Sequence, residues 1–103
     1  MYRTAYILQT LKIIIMLVGL EGKKEQNTEY LFFESEEEIQ DILFVKNKAA
    51  TTADNNGAIN IWVDDEGYIR CESMRYLSSL EKKKYSRISD VKKWAKKWLE
   101  EIK

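Results

Sequence analysis

The side chains able to do chemistry in this chain are carboxylates, lysines and one thiol; histidine is absent. Without histidine the usual general base at neutral pH is missing, and so is the commonest metal ligand. Cys71 is the single cysteine. It can form neither an internal disulfide nor a thiolate cluster. As a nucleophile it would need a neighbouring base, and no histidine is there to supply one. The expected reading is a small hydrophobe buried on a strand.

The carboxylates are numerous but scattered. Glu21, Glu81 and Asp90 each precede a lysine by two residues, which resembles half of a nuclease pattern. With 17 acids and 17 bases such pairs arise by chance. "DNNG" at 54–57 and "DDEG" at 64–67 have calcium-loop composition. Placing either glycine at loop position six puts Val63 or Ser73 at position twelve, where a bidentate acid is required. Both read as turns instead. "GLEG" at 19–22 has the GxxG spacing of a KH loop, but Leu20 and Glu21 stand where a basic residue is expected. No Walker loop or GxGxxG occurs. The expectation is a protein that is not an enzyme, with no metal and no cofactor.

These residues must be positioned by one small domain. The chain has 103 residues, 45% apolar and 33% charged, the balance of a folded protein rather than a disordered tail. "IIIMLVGL" at 13–20 is too short for a spanning helix, which needs about 20 apolar residues. A signal peptide fits its start, but "GLEGKKE" lacks the small-x-small cleavage pattern. A strand over about 11–20, buried on both faces, is preferred. Targeting or anchoring through residues 1–20 stays as an alternative, and the expected location is cytoplasmic.

The remaining elements follow from periodicity. "TEYLFFES", 28–35, reads as a strand and hairpin partner of 11–20. Ser35 and Glu38 have capping-box spacing ahead of a helix over about 36–44, with Ile39, Ile42 and Leu43 as its apolar stripe. Residues 46–57 read as a polar loop. "AINIWV" alternates within a strand over about 58–64, Gly67 takes positive φ in a hairpin loop, and a second strand returns over about 68–77. A basic connection, 78–87, leads to a helix over about 90–102 with Ser89 as N-cap. The fold class expected is α+β: ββα-ββα, a mostly antiparallel sheet with helices packed on one face.

The last helix carries the question of function. In "ISDVKKWAKKWLEE", Val91, Trp94, Ala95, Trp98, Leu99 and Ile102 share one stripe, and the lysines lie outside it. A helix that stacked bases would want tryptophan and lysine on one exposed face. A membrane-surface helix has this same segregation. The preferred reading buries the tryptophans. Lys92 and Lys93 nevertheless stand in the first turn and Glu100 and Glu101 in the last, each against the helix dipole.

Charge is unevenly spread although the net charge is zero. Residues 21–74 carry a net −8 and residues 75–103 a net +6. Solvated surfaces of opposite sign are one reading; a charged face that steers a partner is the other. The candidate basic face is Lys82, Lys83, Lys84, Arg87, Lys93 and Lys97. The candidate acidic face is Glu36, Glu37, Asp41, Asp64, Asp65 and Glu66. The length and the proline-free, Lys/Ile/Glu/Asn-rich composition are similar to those of small orphan proteins of phages and plasmids, anti-CRISPR proteins among them. The similarity covers no motif. The expected function is non-enzymatic binding to another protein, as an inhibitor or accessory factor, for example of a nucleic-acid enzyme. Nucleic-acid binding by the basic face is the alternative, and whether the protein is a dimer stays open.

Overall fold

Strand β1, Glu29–Phe32, leads into helix α1, Glu37–Leu43, and then strand β2, Lys48–Asp54. Strands β3, Gly57–Val63, β4, Ile69–Arg75, and β5, Glu81–Tyr85, follow, and helix α2, Ile88–Glu101, closes the order. This is a computed structural model, and it describes residues 28–45, 48–54, 57–75 and 80–101. The expected strand over 11–20, its hairpin with 28–35, and Ile102 lie outside the described residues.

The five strands form one mixed sheet in sequence order. β1 and β2 are parallel; every later neighbour is antiparallel. Parallel neighbours need a crossover, and α1 supplies it. The fold is α+β, with two helices on one face of a mostly antiparallel sheet. The order within it differs from ββα-ββα at two places. Residues 48–54, expected as loop, form β2, and 81–85, expected as connection, form β5.

Both misreadings have a physical reason. β2 reads "KAATTAD", and its Ala49, Ala50, Thr51 and Thr52 are all buried. Side chains this small carry little apolar signal, yet small volume is what a strand wedged under a helix needs. β5 reads "EKKKY", with its first four residues exposed. An edge strand is held by backbone bonds to one neighbour, so charged side chains do not oppose it.

Alternation assigns the faces. One cross-sheet row is Leu31, Ala50, Ile61, Cys71 and Lys83. Leu31, Phe33, Ala50, Ile59, Ile61, Ile69 and Cys71 pack under Ile39 and Ile42 of α1 and Val91, Ala95 and Trp98 of α2. Trp98 is 5% exposed; Trp94 and Leu99 pack partly buried beside it. The tryptophan stripe therefore faces the core, as its spacing implies.

The next row lies on the opposite face: Phe32, Thr51, Asn60, Glu72 and Lys82. Its three central members are fully buried and polar. The Thr51 hydroxyl lies 2.8 Å from Asn60 Oδ1 and 3.0 Å from the Ile59 carbonyl oxygen, one proton shared between two acceptors. Asn60 Nδ2 donates to Glu72 Oε1 at 3.1 Å. This chain ties the side chains of β2, β3 and β4 together.

Helix starts are shifted from their expected positions. Ser35 Oγ accepts from the amide of Glu37, not Glu38, and the Glu38 carboxylate accepts from the amide of Glu34, not Ser35. The reciprocal logic of a capping box survives in a displaced form. In α2 the Arg87 carbonyl accepts from the amides of Asp90 and Val91, so Ser89 is not the cap and lies exposed in the first turn.

Two substitutions test these layers. Trp98→Ala is expected to cost about 3–5 kcal/mol, against about 5–15 for a whole domain. Asn60→Ala strips Glu72 of a donor and Thr51 of an acceptor, for about 1–3 kcal/mol. Urea denaturation followed by circular dichroism measures both. A loss under half a kcal/mol at either site would contradict the packing described.

Candidate functional site

Among the described residues the carboxylates do not converge. Among the described residues no three of Asp, Glu and Cys are grouped so as to hold a metal ion. The acids of the two described acid-x-lysine pairs are separately employed. The Glu81 carboxylate accepts from Trp94 Nε1, Asp90 pairs with Arg87 at 3.4 Å, and Glu21 lies outside the described residues. Cys71 is buried, and burial, with the charge of Glu81 as a smaller contribution, pushes its thiol up to about 12.

The "DDEG" stretch is a built turn. Asp64 Oδ1 accepts from the amides of Glu66 and Tyr68, both at 2.9 Å, and Gly67 has φ +90°. Asp64 Oδ2 takes the Arg70 guanidinium at 2.8 Å. That hydrogen bond to Arg70, helped by the turn amides, holds the Asp64 carboxyl below its ordinary value. The local amides and Arg70 explain this acid completely, with no ligand required.

The candidate acidic face is not one surface. Glu36, Glu37 and Asp41 belong to the start and middle of α1; Asp64, Asp65 and Glu66 belong to the β3–β4 turn. β1 and β3 run in opposite directions, so the chain leaves them at opposite ends of the sheet. Glu37 is moreover paired with Lys92 at 3.5 Å. That pair answers one of the two lysines set against the α2 dipole.

The candidate basic face also divides. Strand alternation sends Lys82 and Lys84 to the face of Glu72 and Arg70, and Lys83 to the helix side. Lys84 Nζ sits 4.1 Å from the centre of the Tyr68 ring, a cation–π contact. Arg87 is engaged with Asp90. Lys93 and Lys97 stand exposed on the outer face of α2, joined by Lys96, which the sequence reading did not include. The three have no ion-pair partner among the described residues. Their helical spacing was the available signal for Lys96: it lies three residues from Lys93.

Among the described residues no aromatic ring is fully exposed beside these lysines: Trp98 is buried and Trp94 half-buried with its N–H on Glu81. The most exposed large apolar side chain described is Phe44, 77% exposed just past the end of α1. Among the described residues no helix is long and apolar enough to cross a membrane.

No protein-family model, curated protein or solved structure matches this chain.

The state of Cys71 can be checked directly. A thiol at about 12 is ionised in roughly one molecule in 10⁵ at pH 7, and thiolate is the reactive form. Ellman's reagent is expected to leave the native protein unlabelled and to react promptly once urea unfolds it. Rapid labelling of folded protein would show an accessible thiolate instead.

Proposed function

We propose that this protein is a small non-enzymatic binding protein whose ligand is another protein, acting as an inhibitor or accessory factor of the kind mobile elements carry. A nucleic-acid enzyme is one fitting target. The cytoplasm is its proposed location, in keeping with a single, buried cysteine.

The observation that carries this reading is the outer face of α2. Val91, Ala95 and Trp98 anchor the helix, and Lys93, Lys96 and Lys97 project from the opposite side. Immobilising exposed charge on a well-anchored helix does little for stability. It does serve an acidic partner, by steering encounter and fixing orientation.

Nucleic acid is the weaker reading on two counts. Single strands would want rings to stack on, and both tryptophans of α2 are turned toward the core. A long phosphate backbone would also meet the acids of α1, whose Glu37 reaches α2 through Lys92. A protein surface of mixed charge can match such a neighbourhood; a polyanion is repelled by part of it.

The test is a paired one. Lys93→Glu/Lys97→Glu is expected to leave melting unchanged within about 0.5 kcal/mol of stability. It should abolish capture of the partner that the unaltered protein retains from lysate. Duplex DNA and single-stranded RNA are expected not to bind at low salt. A steep negative slope of log affinity against log salt for either would replace the protein partner with nucleic acid.

A further inference from the structure

We propose that β5 is a docking edge, which takes an extended acidic segment of a partner protein as an added strand. The proposal rests on the protein-binding reading and names its mode.

The two edges of the sheet are unlike. β1 at one edge buries Tyr30 and Leu31. β5 at the other leaves Glu81, Lys82, Lys83 and Lys84 exposed, and no described strand pairs with its outer side. An edge of this kind offers alternate backbone N–H and C=O groups to an added strand, and strand addition is a recurring mode of peptide recognition. β5 is also a well-supported template. Five consecutive residues, Glu81 to Tyr85, are in register with Ser73 to Ile69 of β4.

Charge decides what can be added. Lysines on an edge strand protect it against pairing with its own kind. Two copies of β5 meeting antiparallel about Lys83 would set Lys82 against Lys84 and Lys83 against Lys83. Like charges directly opposite each other are destabilising, so a second copy is disfavoured. The same arrangement favours an acidic strand. An acid facing Lys84 would lie on one face, and an acid beside Lys83 on the other. Glu81, the one acid of the strand, is drawn toward the helix layer by Trp94 and does not spoil the pattern. Repulsion of self and attraction of an acidic strand together make the edge selective.

The probe is a short synthetic peptide of alternating Glu and Val, with an N-methylated version that keeps the charge but cannot donate along the ladder. The expected result at low salt is saturable binding and new hydrogen-exchange protection of β5 backbone amides, read by NMR. The N-methylated peptide should not protect them. Lys83→Glu/Lys84→Glu, with Lys83→Gln/Lys84→Gln as the gentler pair should the first unfold, should weaken binding about tenfold or more. No binding, equal binding of the N-methylated peptide, protection confined to other elements, or β5 protection that rises with protein concentration alone would each overturn the docking edge. If the peptide fails while reversal at Lys93 and Lys97 still abolishes partner capture, strand addition falls and the protein-binding reading stands.

Discussion

A carboxylate buried to 1% exposure in the middle of a sheet is a severe constraint, and Glu72 imposes it here. An unsatisfied buried charge is costly, so its surroundings must supply donors. Asn60 supplies one, and Asn60 is in turn oriented by Thr51, whose hydroxyl proton approaches Oδ1. The chain Thr51–Asn60–Glu72 thereby couples β2, β3 and β4 at one register. A slip by one residue would carry each of these groups to the helix face, among Ile61, Cys71 and Ala50, and strand all three. Apolar packing on the helix side stabilises the sheet; the polar row on the other side specifies which sheet forms.

That register sets the environment of the charged residues. Lys82 is placed across from Glu72, and Lys84 across from Arg70. Two cations directly opposite would repel. Asp64 draws the Arg70 guanidinium toward the turn, and the Tyr68 ring receives the Lys84 amine. On the helix side, Lys92 meets Glu37 across the two helices. Part of the uneven charge along the chain is thus interlocked within the fold. The lysines left outward are concentrated on α2, with the β5 edge beside it, and a proposed partner would meet both in one C-terminal region.

Elements with strong periodicity were legible from their residues. The 3.6-residue stripe of Val91, Ala95 and Trp98 and the alternation of Ile59, Ile61 and Val63 each identified the face that joins the apolar core. Gly67 was legible too, because few other residues tolerate φ near +90°. β2 was not legible. Its Ala and Thr side chains are small, and their burial comes from neighbours far along the chain. β5 was hidden by its lysines, since a backbone ladder leaves no mark on side-chain type at an edge. The candidate surfaces were legible as a charge imbalance and no further. Lysines adjacent in sequence, as Lys82, Lys83 and Lys84 are, part to opposite faces on a strand, whereas in a helix Lys93 and Lys97 return to the same one.

The sequence by itself determined the α+β class, the inward tryptophan stripe, the turn at Gly67 and the absence of histidine beside a single cysteine, because each depends on local periodicity or on which side chains exist. Tertiary structure alone decided that β1 and β2 run parallel, that Glu72 is buried with Asn60 as its donor, and which lysines remain outward. Those outcomes depend on pairings between residues 9 to 19 apart in the chain, such as Thr51 with Asn60, Asn60 with Glu72 and Leu31 with Ala50. No local pattern encodes such a pairing, because the free energy that selects it is shared among strands that meet only once the chain has folded.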